Sequence, residues 1–266
     1  MFVDTHSHLY SEEFSSDRNE VISSALKAGI DRIILPNIDS STIKPMLDLT
    51  DSAPELFIPL LGLHPTSVKD DFRKELGIME YWLNKRNFSG IGEIGIDLYW
   101  DKTFIDEQIE AFRIQIGWAK KGKIPVVIHT RDSFQEVIDV IIQEKEKSLT
   151  GVFHSFTGTA DEAAQVIDLG FKIGIGGIVT YKNSGLGSTV QQISIKDILL
   201  ETDSPWLAPV PHRGHRNESA FITAVAAKVA ILHQISIEEV ARITTQNAQQ
   251  LFGFKSLIGR GYIHLQ

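Results

Sequence analysis

The chain has no cysteine, which excludes disulfides and thiolate metal ligands together, so a transition metal held here depends on imidazole and carboxylate. It has no apolar run near the roughly 20 residues of a membrane helix. It also lacks a basic segment followed by an apolar one at its start, so no secretory signal is visible and a soluble, cytoplasmic protein is expected. Positive charge is not in excess: the net charge of -8 argues against broad electrostatic affinity for nucleic acid, while leaving local phosphate recognition open. No repeat, low-complexity tract or Pro-rich linker divides the chain. At 266 residues, 42% of them apolar, it fits one large α/β domain, since barrels commonly form single units of about 250 residues.

What is present is a succession of short runs rich in Val, Ile, Leu and Phe, near residues 2 to 5, 32 to 36, 56 to 62, 90 to 94, 125 to 129, 151 to 155, 171 to 175 and 198 to 202. Buried parallel strands read as continuous apolar runs, as Ile33-Ile34-Leu35 and Val126-Val127-Ile128 do. Helical patterns lie between them: Val21, Ile22, Ala25 and Leu26 before Gly29, and Ile105 to Ala119 with Gly122 as its expected stop. A Gly-rich stretch, Gly174 to Gly187, reads as an irregular loop after strand seven. Beyond strand eight, Ile222, Val225, Ala226 and Val229 have helical spacing, and Ser236 with Glu239 forms a capping-box signature. The expected fold is a (β/α)8 TIM barrel with extra C-terminal helices. It forms a single domain over residues 1–266, with a catalytic core of about 1–254 and a short C-terminal tail, 255–266.

Polar residues stand where these runs stop, and a parallel barrel gathers its strand ends on one face. His6 and His8 form an H-x-H pair that can aim two imidazoles the same way from an extended strand, although the spacing alone also suits a polar loop. Glu93 is an acid inside an apolar, glycine-flanked strand, costly unless paired or coordinating. His129 and His154 are each the first polar group after an apolar run; either alone reads equally as a satisfied core residue. Joined by Asp203 after strand eight, they accumulate more buried polarity than is expected without a common partner. Six ligands, His6, His8, Glu93, His129, His154 and Asp203, exceed one tetrahedral zinc, so two divalent ions about 3.5 to 4 Å apart are expected, with Glu93 bridging. Four histidines favour zinc, manganese or cobalt, and carboxylate bridging also permits magnesium.

These positions fall in Asp4-Thr5-His6-Ser7-His8, Gly62-Leu63-His64-Pro65, Gly92-Glu93-Ile94-Gly95-Ile96-Asp97, Pro125-Val126-Val127-Ile128-His129-Thr130-Arg131-Asp132 and Val152-Phe153-His154-Ser155-Phe156-Thr157-Gly158. Others fall in Leu200-Glu201-Thr202-Asp203-Ser204-Pro205-Trp206-Leu207-Ala208-Pro209, followed by Pro211-His212-Arg213-Gly214 and Arg216-Asn217-Glu218. Across nearly its whole length the chain resembles the metal-dependent TatD deoxyribonucleases of the amidohydrolase-like barrels. The resemblance implies the same six metal ligands and phosphodiester hydrolysis. It departs at His215, where the family usually has lysine, and at Ser219, often proline. Related amidohydrolases bridge their metals with a carboxylated lysine where this chain has Glu93, which argues against phosphotriesterase-like and urease-like readings.

A water activated by two cations is the expected nucleophile, with Asp203 as candidate general base and Glu93 beside it in the catalytic centre. Arg213 and Arg216, in the densest basic loop, suit phosphate through their planar forks, with a solvated loop as the plain alternative. His64 and Arg131 are further candidates for contacting the substrate, or for supporting the ligands. Tyr99, Trp100 and Trp206 follow strand ends, where rings either pack or stack on bases. The expected substrate is DNA, at ends or in single strands and cleaved in exonuclease fashion, with no membrane and no obligate protein partner. An ester bond on misacylated tRNA is the alternative substrate, and a non-catalytic binding barrel the reading from another class.

Overall fold

Eight parallel strands form in the order of the eight apolar runs: β1 (Phe2–Asp4), β2 (Ile30–Pro36), β3 (Phe57–Leu60), β4 (Ile91–Asp97), β5 (Val126–Arg131), β6 (Gly151–Phe153), β7 (Lys172–Ile175) and β8 (Ile198–Leu200). The structure is a computed structural model describing residues 1–255, so the expected tail lies, but for Lys255, outside the described residues. Helices alternate with the strands: α1 (Arg18–Lys27), α2 (Ser40–Ser52), α3 (Phe72–Lys85), α4 (Ile105–Gly122), α5 (Phe134–Glu144), α6 (Ala160–Asp168) and α7 (Leu186–Gln192). After β8 come α8 (Ile222–His233) and α9 (Ile237–Phe252). No single helix among the described residues is long and apolar enough to cross a membrane.

The ladders run β1-β2-β3 and β4-β5-β6-β7-β8. Single bridges close the ring, Leu61 to Ile91 on one side and Ser7 to Ser204 on the other, reinforced by Gly92 N–H to Leu61 O at 3.0 Å and Thr5 N–H to Leu200 O at 3.1 Å. Val3, Ile34, Ile58, Leu60, Val127, Val152 and Leu199, from six strands, share one apolar cluster, which places them inside the barrel. Ala248 and Phe252 of α9 join that cluster, so the last helix plugs the end of the ring where the strands begin. Residues two apart on a strand face one side. Val127 and Val152 point inward, so His129 and His154 do too, one layer nearer the strand ends.

Three boundaries differ from the pattern reading. β4 continues to Asp97, in register with Arg131 of β5, because Gly92 and Gly95 let the two backbones approach; a Cβ on Gly95 (φ +145) would lie 2.0 Å from His129 O. Helix α4 runs through Gly122 and stops at Lys123, whose left-handed backbone (φ 52) lets its N–H return to Ala119 O and Lys120 O. The stretch from Gly174 to Gly187 is ordered as the end of β7, a 3-10 turn over Gly177–Thr180 and the start of α7. Ser236 does cap α9, accepting Glu239 N–H at 3.1 Å.

Candidate metal centre

At the open end of the ring Glu93 occupies the middle of a cluster of imidazoles. One carboxylate oxygen, Oε2, lies 3.1 Å from His6 Nε2 and 3.7 Å from His8 Nε2. The other, Oε1, lies 2.8 Å from His129 Nδ1, 3.0 Å from His154 Nε2 and 3.3 Å from His64 Nε2. Asp203 Oδ1 stands 3.8 Å from both His6 Nε2 and His8 Nε2. All six residues expected as ligands therefore meet, and His64 stands among them. His6, His8, Glu93 and His154 are buried and Asp203 and His129 half-buried, and all but His6 line a cavity of about 440 Å³ over the cluster.

The donor set suits divalent cations, and the hydrogen bonds behind the rings say which nitrogens face them. Tyr10 donates its hydroxyl to Pro36 O at 2.6 Å, so toward His8 Nδ1, 2.8 Å away, the phenol oxygen can only accept. The His8 proton therefore sits on Nδ1, and an unprotonated Nε2 faces His6 Nε2 at 3.1 Å and two carboxylates. A nitrogen lone pair aimed at carboxylates is satisfied by a cation between them. On the other side Asp97 Oδ2 accepts from His129 Nε2 at 2.8 Å, leaving Nδ1 toward Glu93. Glu201 places Oε1 3.2 Å from His154 Nδ1, without the alignment of a hydrogen bond, and leaves Nε2 toward Glu93. Carboxylates and a phenol thus form an outer layer of the kind that orients metal-binding histidines.

The electrostatics of the protein groups follow the same division. Burial alone would raise the Glu93 carboxyl, but the imidazoles of His154, His64, His6 and His129 around it hold it well below the usual carboxylate range. Burial pushes Asp203 up to about 8, with Glu93 and Glu201 adding to the rise and His154 opposing it. Burial and the neighbouring His6 hold His8 well below the ordinary imidazole value. His154 is raised well above it, because Glu93 and Glu201 outweigh burial. One carboxylate is thus ionised and another protonatable near neutrality.

The substrate candidates divide. His64 and Arg131 line the cavity, as do Trp100 and Trp206. Arg131 is layered on Tyr99, its guanidinium 3.9 Å from the ring centre. Arg213 instead lies over Tyr181 at 4.5 Å, outside the lining. Arg216, expected at the substrate, is corrected: it holds Asp17 at 2.9 and 2.6 Å, Glu218 at 3.1 Å and Glu13 O at 2.6 Å. Opposite charges across the loop engage its fork.

Several supporting residues carry no signal of their own in the sequence. Asp4 accepts Thr202 N–H at 2.9 Å and Thr202 Oγ1–H at 2.7 Å, tying the end of β1 to the segment that carries Asp203, whose backbone is left-handed (φ 57). Gln108 and Gln115, seven apart on one face of α4, clamp the backbone of Asp97 (2.8 and 3.2 Å) and of Leu63 (2.6 and 3.3 Å). Asn217 Nδ2 donates to Thr202 O and Trp206 O at 2.6 and 2.7 Å, on either side of Asp203. Asp4, Asp97, Glu201 and Asn217 do lie inside the sequence blocks that carry the family resemblance, which is the one cue to them.

Comparison with known proteins accords with this geometry. A family model described as TatD related DNase matches residues 3–253. YabD of Bacillus subtilis (strain 168), an uncharacterized metal-dependent hydrolase, is 35% identical over 253 residues, covering 95% of this chain and 99% of that protein. YcfH of Escherichia coli (strain K12), likewise an uncharacterized metal-dependent hydrolase, is 32% identical over 255 residues, covering 94% and 95%. The crystal structure of YjjV, a TatD homologue from Escherichia coli K12, matches with a TM-score of 0.90 at 27% identity, covering 96% of this chain and 98% of that one. With a barrel of this form, a cluster of metal-ligand type at its open end and a family match over nearly its whole length, the chain belongs to the TatD family of metal-dependent hydrolases.

Proposed function

We propose that the chain hydrolyses phosphodiester bonds of DNA, at ends or in single strands, with two divalent cations held by His6, His8, Glu93, His129, His154 and Asp203. The observation that carries this reading is the division of Glu93, with Oε2 facing His6 and His8 and Oε1 facing His129 and His154. Such a carboxylate could hold a cation with each oxygen, and the residues that would complete the two sites fall into one group on each side. Divalent ions there would bring the pKa of water from about 15.7 toward 7 and neutralise a phosphodiester oxygen.

The remaining work belongs to the chain. Asp203 lines the cavity and, as a carboxylate, accepts the proton of the attacking water. Arg131, layered on Tyr99, presents its fork to a phosphate. Trp100 and Trp206, exposed at the cavity rim, offer faces for unpaired bases. A net charge of -8 disfavours wrapping of long duplex, so recognition concentrates at the mouth.

The test is hydrolysis of end-labelled single- and double-stranded oligonucleotides, and of aminoacyl-tRNA, by protein stripped with chelator and reloaded with magnesium, manganese, zinc or cobalt. Cation-dependent cleavage of DNA is expected, reduced about 10²- to 10⁴-fold in Asp203→Asn. Asparagine also tolerates left-handed backbone, so the fold should survive. Cleavage confined to aminoacyl-tRNA, or none with any cation, overturns the proposal.

A further inference from the structure

Among the five imidazoles around Glu93, His64 is held the other way round. Its Nε2 lies 3.3 Å from Glu93 Oε1 and 3.3 Å from His129 Nδ1, so distance alone makes His64, Glu93 and His129 a trio of candidate ligands. The hydrogen bonds behind the ring say otherwise. His64 caps the 3-10 turn Pro65–Ser67: the backbone N–H of Thr66 donates to His64 Nδ1 at 3.1 Å, and the Thr66 hydroxyl lies 2.7 Å from the same nitrogen. A backbone amide can only donate. Nδ1 must therefore offer its lone pair, and the proton of the neutral ring sits on Nε2. His8 and His129 are the reverse, since Tyr10 and Asp97 draw the proton to the outer nitrogen.

An N–H has no lone pair for a cation, yet it suits an oxygen carrying negative charge. We infer that His64 is not a metal ligand but a fixed hydrogen-bond donor, holding Nε2–H in the lining of the cavity, where an anionic oxygen of the substrate accepts it; this deepens the hydrolytic reading above and rests on it. In a phosphodiester the acceptor is a non-bridging oxygen, which gains charge as water attacks. The donor is set in place before substrate arrives. Pro65 stiffens the chain after it, Gln115 grips the Leu63 backbone on the other side through both its N–H and its carbonyl, and Thr66 fixes the ring. A donor that needs no reorganisation is the kind that lowers a barrier. Spacing in Gly62-Leu63-His64-Pro65 gives no hint of which nitrogen is protonated; the turn after β3 decides it.

The tautomer is read by 15N NMR of the His64 ring in the zinc-loaded full chain. Bound cations are counted in the same protein and in His64→Ala and His64→Gln. The inference expects the Nε2–H tautomer and the same number of cations in all three proteins. On an oligonucleotide, kcat/KM falls about 10²- to 10³-fold in His64→Ala, with partial recovery in His64→Gln, whose amide also donates. An Nδ1–H ring, or loss of one cation per chain in His64→Ala, overturns it. If no oligonucleotide is cleaved, the nuclease reading fails by itself, and the tautomer and cation count still decide whether His64 is a donor or a ligand.

Discussion

Asp97→Asn changes a single oxygen to an amide nitrogen, and the structure says which end of the new side chain meets His129. Asp97 Oδ1 accepts two backbone N–H groups, from Tyr99 at 3.0 Å and Trp100 at 3.2 Å. Oδ2 accepts one, from His129 Nε2 at 2.8 Å. An asparagine has only one oxygen. Two amides outbid one imidazole, since each buried donor left unmade costs about 1–3 kcal/mol, so the oxygen stays with the backbone and the NH2 turns to His129. That NH2 needs a lone pair on Nε2, which drives the proton to Nδ1, the nitrogen facing Glu93. The inner face of His129 then carries a hydrogen where a cation needs electrons. Losing such an outer partner lowers metal affinity about 10- to 100-fold, or about 1.4 to 2.8 kcal/mol. Manganese titration of the variant against a competing chelator measures this directly, with circular dichroism to establish that the fold is kept. An affinity within twofold of the parent would refute the tautomer argument for His129.

Two further outcomes follow from the same structure. Gly95→Ala puts a methyl 2.0 Å from His129 O at φ +145, so it should lower stability by at least about 2 kcal/mol and weaken cation binding, both visible in thermal unfolding with and without metal. The cation-free protein should lose about 2 kcal/mol between pH 7 and pH 9. Folding keeps protons on Asp203, raised from 3.8 to about 8, and on Asp4, raised from 3.8 to about 7 by burial; the unfolded chain has released both. Stability from raised carboxyls is complete below pH 4 and disappears as pH climbs through the folded values. His154, raised well above its ordinary value, pulls the same way, whereas His8, held low, is neutral in both states above pH 7. A melting temperature of the chelated protein that is level or rising over that range would contradict these assignments.

The barrel is legible in the sequence because a strand buried on both faces has no room for polar alternation: Val126-Val127-Ile128 and Ile33-Ile34-Leu35 can be little else. Most residues of the cluster are legible for a related reason, since His129, His154 and Asp203 follow such runs and inward direction carries over two residues, from Val127 to His129 and from Val152 to His154. The outer layer is not legible. Asp97 becomes the partner of His129 only through the β4 to β5 register and two glycines that let the backbones approach. Tyr10 acts through a hydroxyl bonded 26 residues away to Pro36 O. Arg216 misleads because a basic loop reads as a phosphate site, while its acidic partner Asp17 stands 199 residues earlier. Pattern reading sees which residues are polar and buried; tertiary register decides which pair with which.

Crystals loaded with manganese or zinc, with anomalous scattering used to place the ions, test the central claim. Two peaks per chain are expected with Glu93 between them, one against His6, His8 and Asp203 and the other against His129 and His154. A single peak, or a second one that leaves Glu93 or His154 uncoordinated, would contradict it.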